Sequence, residues 1–148
     1  MTSEQLRCYY EKFPAVLKEN LKSGALSFPK DTKFDYEPKE AYRGVFRKVG
    51  EENKPFNLKD MKSHYERGRV PRGVPIDKLD PRYFAVSLFE NTDMLEQNYI
   101  FGNPRKYIAK GYVRKEGGPR LDGEDNHISW WLFEGVDLSE FEIMEKEK

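Results

Sequence analysis

Cysteine is almost absent from this chain: Cys8 is the only one. No internal disulfide and no thiolate zinc cluster can form. A lone thiol behind a polar start, Met1-Thr2-Ser3-Glu4, with no apolar leader core, points to a reducing, cytoplasmic setting. Histidine is nearly as scarce. His64 and His127 are the only two, which leaves few candidates for a Ser-His or Cys-His nucleophile system. No run of about 18 apolar residues occurs, so no membrane span is expected. Excess charge of one sign is also missing, because 26 basic residues balance 26 acidic ones. The basic surplus of a typical nucleic-acid binder is therefore absent, and a nucleic acid is not the expected partner. The chain holds no H-E-x-x-H, no P-loop and no G-x-G-x-x-G, so no motif calls for a cofactor or a metal.

What the chain does have is aromatic residues, 14% of its 148 positions, among 35% charged ones. That combination excludes extended disorder and suits a single domain over residues 1–148 with a wet surface. The charge is unevenly placed. Residues 105–120 carry six basic side chains against one acidic, while residues 121–148 carry nine acidic against two lysines. A basic middle and an acidic end can steer a partner or pair with each other.

Apolar residues Leu6, Tyr9, Phe13, Val16, Leu17 and Leu21 recur at helical spacing and predict a helix over 3–22. Thr2 and Gln5 form a capping box, Pro14 kinks or splits the helix, and Gly24 stops it. Tyr42 to Val49 alternates as a strand. Residues 57–67 read as a short helix, with Asn57 as cap and Gly68 as terminator. Residues 68–81, with three prolines and two glycines, form a loop. Tyr83 to Phe89 is a buried strand leading into a short helix over 92–99. Lys106 to Val113 alternates again, 115–126 is a polar loop, Ile128 to Phe133 is an apolar strand, and Phe141 to Met144 is a last one. Residues 145–148 form a charged, frayed end. The order predicts an α+β fold: an N-terminal helix packed on a mixed, mostly antiparallel sheet with short inserted helices. The expected core is Leu6, Phe13, Leu17, Phe84, Val86, Leu88, Ile108, Ile128, Trp130 and Leu132. Trp130 and Trp131 are adjacent and must face opposite sides of a strand. One belongs in the core; the other lies under a helix or stands exposed as a binding platform.

Three features fall in a suggestive order. Tyr42-Arg43-Gly44 starts the first strand, Ser87 lies in a central strand, and a tryptophan-rich strand ends at Glu134. This arrangement over residues 41–144 resembles the ADP-ribosyltransferases of the arginine–serine–glutamate class. The resemblance implies NAD as cofactor. Arg43, with Tyr42 before it, would hold the phosphates, and Ser87 would hold the nicotinamide ribose. A carboxylate near the later strand would stabilise the ribosyl cation. The chain departs from the pattern there: His127-Ile128-Ser129 stands where the glutamate pair is expected, and Glu134 comes at the far end of the strand. The resemblance then implies either a substitute carboxylate or a fold kept without the reaction. Glu134 and His127 are the catalytic candidates, the latter because a neutral imidazole serves as base near pH 7. Plain alternatives exist for each: an exposed strand cation for Arg43, a local hydrogen bond for Ser87, a strand-edge imidazole for His127.

Few catalytic residue types and nine tyrosines favour a small intracellular accessory protein that acts by binding a protein or ligand. An NAD-dependent transferase-like domain, active or decayed, is the alternative. Binding of RNA or a single strand is the third, because Arg67-Gly68-Arg69, Arg105-Lys106-Tyr107 and Lys110-Gly111-Tyr112 place cations beside glycines and rings as stacking platforms do. The expected cleft lies between loop 68–81, Arg43 and loop 115–127.

Overall fold

A computed structural model describes residues 2–97 and 103–144. Helices α1 (Ser3–Tyr10) and α2 (Ala15–Ser23) come first. Strand β1 (Lys39–Phe46) follows, then β2 (Val86–Phe89) and a single turn, α3 (Asp93–Leu95). Strands β3 (Lys106–Val113), β4 (Arg120–Asp122), β5 (His127–Trp130) and β6 (Glu142–Ile143) complete the chain. The fold is α+β with one six-stranded sheet, ordered β4-β5-β2-β1-β3-β6. All pairings are antiparallel, where a mixed sheet was expected.

Pro14 divides the N-terminal stripe into two helices, each ended by its own signal. The Thr2 hydroxyl accepts from the Gln5 N–H at 3.1 Å, and the Gln5 side chain accepts from the Thr2 N–H at 2.9 Å. Gly24 closes α2 in the left-handed conformation, φ +82°. Phe13, Leu17 and Leu21 turn inward against Phe84 and Trp131. Leu6 is half-buried, not core, because no residue of α1 is fully enclosed. Leu132 is also half-buried, beyond the end of β5.

The two tryptophans divide the core between them. Trp130 joins Ala41, Val86, Leu88 and Ile128 on the closed face of the sheet, under Met61 and Phe141. Trp131 enters the second cluster beneath the N-terminal helices, where its indole N–H donates to the Pro81 carbonyl at 2.9 Å. Both are buried, so neither serves as an exposed platform. Gly118 makes this packing possible. A Cβ there would lie 1.7 Å from the Trp131 carbonyl oxygen, at φ +141°.

The helix expected over 57–67 is two separate turns. Asn57 and Asp60 cap each other around a 3-10 turn at Leu58–Asp60. Ser63 and Glu66 then form a second reciprocal cap. That second turn ends at Gly68, φ +70°, where the Arg69 N–H donates to His64 O at 2.8 Å and the Gly68 N–H donates to Tyr65 O at 3.0 Å. A continuous helix would have used the carbonyls of Asp60 and Lys62 internally. Here both accept from Arg43 instead. The short helix at 92–99 survives as α3; the rest of it from residue 98, and the charged end at 145–148, lie outside the described residues.

Residues 115–126, expected as a polar loop, contain a short strand, β4, that the sequence pattern does not announce. Asp125 and Asn126, φ +55° and +62°, form a tight turn that returns the chain into β5. Its closing bond runs from the His127 N–H to Glu124 O at 3.0 Å. Two consecutive positive φ values favour Asp and Asn after glycine, and they twist the hairpin as the sheet requires.

Arg47, 4% exposed in its side chain, meets Asp60, 10% exposed, through two parallel bonds of 2.6 and 2.7 Å. It also donates to the carbonyls of Lys54, Phe46 and Pro55. Removing one partner of a buried pair strands the other charge, at a cost of about 3–5 kcal/mol. Asp60→Ala is therefore expected to lower unfolding stability by about that amount in a urea titration followed by tryptophan fluorescence. A loss under about 1 kcal/mol, the range of exposed pairs, would show that the pair is solvated.

Candidate functional site

The open face of the sheet carries the polar residues. Alternation puts Ser87 and Phe89 of β2 opposite to the core face, in register with Ser129 and His127 of β5. The row continues from Phe89 to Tyr42 and from Tyr42 to Lys110. Thus His127, Phe89, Tyr42 and Lys110 form one cross-strand line over four strands. The Tyr42 hydroxyl donates to Glu40 at 2.6 Å.

β1 and β2 share only the pair Tyr42–Phe89 and then separate, whereas β1 and β3 pair along eight residues. Arg43 fills the gap. Its Nη1 donates to Ser87 O at 2.7 Å, its Nε to Asp60 O at 2.6 Å, and its Nη2 to Lys62 O at 3.1 Å. The side chain is 9% exposed. The Arg43 guanidinium thus reaches the Ser87 carbonyl, but strand alternation sets Arg43 on the closed face and the Ser87 hydroxyl on the open one, and the guanidinium turns toward backbone carbonyls.

Ser87 joins two hollows. One, of about 510 Å³, is lined by His64, Tyr83, Ser87, Glu124, His127 and Ser129, with Asp80 and Arg82 at its side. The other, of about 350 Å³, continues past Arg43 to Arg67, Arg69 and Phe89. Together they form a groove between the 62–82 segment and the β4–β5 hairpin, close to the expected cleft. The hairpin supplies His127 and Glu124. The Ser63–Arg67 turn, ended by Gly68, presents His64, Arg67 and Arg69. The Asp80 cap of the Pro81–Phe84 turn presents Arg82 and Tyr83.

Glu134 lies elsewhere. Its N–H donates to Lys12 O at 2.7 Å, at the corner between α1 and α2. It edges a separate cavity of about 420 Å³ lined by Leu17, Met61, Phe84, Val86 and Leu132. That cavity is more apolar than the groove and holds none of Arg43, Ser87 or His127.

The groove is electropositive. Asp80 is taken up by Arg82 at 2.6 Å, and Asp60 by Arg47. Arg67 and Arg69 have no ion pair or side-chain hydrogen bond among the described residues. Burial holds the His64 pKa below its ordinary value, and Arg67, Arg43 and Arg69 push it further down. His127 is lowered by burial first, then by Arg82 and by His64 itself. His64 thus bears on His127 across the groove. Rings lie beside both: Tyr83 edge-on to His64 at 6.2 Å and Phe89 edge-on to His127 at 5.4 Å. No group of three or more His, Cys, Asp or Glu residues placed to hold a metal exists among the described residues. No described helix is long and apolar enough to cross a membrane.

Of the sequence candidates, Ser87, His127 and Arg43 border the groove, Tyr42 sits on the adjoining row, and Glu134 is apart. His64, Arg82 and Glu124 went unnoticed as a group. The available signal was that the chain has only two histidines, one in the turn-rich segment before β2 and one on the hairpin strand. Compared with known proteins, the chain matches no protein-family model, no curated protein and no solved structure.

Both histidines are expected to titrate below 6.5 in an NMR pH titration of the imidazole resonances. The unfolded chain binds these protons first as pH falls, so their contribution to stability is present above about 6.5 and is lost below it. Protonation adds positive charge to the groove, so inorganic phosphate should bind more tightly as pH falls and should raise both values. Titration at or above 6.5 without phosphate would show that neither burial nor the neighbouring cations hold the imidazoles down.

Proposed function

We propose that this chain is a binding domain for a phosphate-bearing nucleotide ligand, seated in the groove over Ser87. The observation that carries this reading is the pair of guanidiniums on Arg67 and Arg69, which edge a groove whose aspartates are already engaged by other arginines. A planar guanidinium binds two phosphate oxygens at once. Ser87, Ser129 and Tyr83 offer hydroxyls for ribose or phosphate, and Phe89 offers a ring face for a base.

A second reading, an NAD-dependent domain like the arginine–serine–glutamate transferases, draws support from the juxtaposition of Arg43, Ser87 and the start of β5. Two features weigh against catalysis of that kind. The Arg43 fork is spent on carbonyls, and Glu134 is outside the groove. Glu124 is the carboxylate that lines it. On this reading the domain holds the dinucleotide without releasing nicotinamide.

Calorimetric titration with NAD, ADP-ribose and inorganic phosphate tests both. Binding is expected to weaken with added salt, as for any phosphate contact. The double variant Arg67→Ala/Arg69→Ala should bind at least about tenfold more weakly, a loss of about 1.4 kcal/mol. Equal affinity in the variant, or no binding by the unaltered chain, would end the proposal. Nicotinamide release from NAD would replace it with the transferase reading.

A further inference from the structure

We propose that His64 and His127 act as an acid–base pair that cleaves RNA bound in this groove. The inference rests on the phosphate-binding reading above and adds a reaction to it. Three observations lead there. The only two histidines of the chain, brought together from positions 63 residues apart, line one hollow of about 510 Å³. Ser87 also lines a second hollow edged by Arg67 and Arg69, so the two hollows side by side offer a track for a linear polyanion. Aromatic rings flank each imidazole, as bases of a single strand require for stacking.

Two imidazoles supply a proton acceptor and a proton donor, and RNA carries its own nucleophile. His127, the more enclosed, takes the proton from a 2′-hydroxyl as its oxygen attacks the adjacent phosphorus. A 2′-O–P bond forms and the P–O5′ bond breaks. His64, on the solvent-facing turn, gives its proton to the departing 5′ oxygen. The products are a 2′,3′-cyclic phosphate and a 5′-hydroxyl, and proton exchange with water resets the pair. No oxidant, reductant or further reactant enters. Arg67 and Arg69 hold neighbouring phosphates. The groups facing the two imidazoles are Arg43 from β1, Arg67 and Arg69 from the 62–69 turn, Asp80, Arg82 and Tyr83 from the next turn, and Glu124 from the hairpin. Arginine outweighs carboxylate among them, so the state with one imidazole protonated is populated on the acid side of neutrality. The balanced total charge of the chain argues against a nucleic acid spread over its whole surface; the local surplus in this groove is what a short strand would meet.

The test uses a short single-stranded RNA and the same sequence in 2′-deoxy form, both with EDTA present, and mass spectrometry of the products. The full chain is expected to bind both strands and to cleave the RNA alone, leaving 2′,3′-cyclic phosphate ends. The rate should peak below pH 6.5. His64→Ala and His127→Ala should each lose about 10²- to 10⁴-fold in rate while still binding the deoxy strand. Unchanged tryptophan fluorescence and melting would show that the variants fold. RNA that is bound but stays intact would overturn the reaction and leave the binding reading standing. Cleavage that persists in both variants would also overturn it. Binding of neither strand would overturn it too, with the phosphate and NAD titrations deciding the binding reading separately.

Discussion

Two buried guanidiniums, Arg43 on β1 and Arg47 just past its end, hold the rest of the structure in place. Arg43, Val45 and Arg47 alternate onto the closed face, and both arginines project into the segment that follows the strand. Arg47 locks the Asp60 carboxylate and the carbonyls of Lys54 and Pro55. Arg43 takes the carbonyls of Asp60 and Lys62. A stretch with little regular structure is thereby fixed by hydrogen bonds to charged groups, which contribute roughly 1.5–3 kcal/mol each. Met61, held between those carbonyls, is pressed into the core at 2% exposure. The same segment leads directly into the turn that presents His64, Arg67 and Arg69. The groove's position is therefore set by the arginines beneath it.

The splay of β1 from β2 follows from the same constraint. Two central strands that paired along their full length would leave no room for a guanidinium between them. Arg43 replaces the lost ladder bond by donating to Ser87 O, so the separation leaves that backbone group satisfied. Beside that gap, Ser87 lines both hollows. A small sheet thus opens a concave surface without a second domain, because one strand pair is short and a side chain stands in for the missing bonds.

Much of the frame was legible in the residues. The stripe from Leu6 to Leu21 with Pro14 in it gave the helix pair, and the alternation over 106–113 gave β3 to the residue. The apolar runs around Val86 and Ile128 located the two strands flanking the groove. The misses share a cause: local signals there were read without their tertiary partners. Asn57 and Gly68 do begin and end a structured stretch, but the demand of Arg43 for two carbonyls interrupts it, and no local pattern reports that demand. Ser63 and Glu66 did carry a capping signal for the second turn. β4 is three residues long and was hidden by the polar Glu-Asp-Asn turn that creates it. Arg43 and Ser87 were identified as neighbours for a ligand-based reason, and they are neighbours for a backbone-based one. The groove as a set of residues was not legible, since His64 and His127 meet only once the sheet order places β5 beside β2.

That distinction decides how Arg43 is to be interpreted. A guanidinium that binds phosphate must turn its fork outward and give up its present acceptors. Three backbone carbonyls, of Asp60, Lys62 and Ser87, would then lose their donor in a place where water has little access. Each unsatisfied group costs about 1–3 kcal/mol, so the combined penalty rivals the stability of a small domain. A ligand contributing a few charge-assisted bonds to Arg43 would not offset that loss. Arg43 therefore works as a staple, and loss of binding on its replacement would report unfolding as readily as lost recognition. On the proposed reading, recognition falls to Arg67 and Arg69, which have no ion pair among the described residues and line the hollow beside Ser87. On that reading, the rigid arginine lies below and the uncommitted ones at the rim, so a change of ligand contacts would leave the support of the sheet intact.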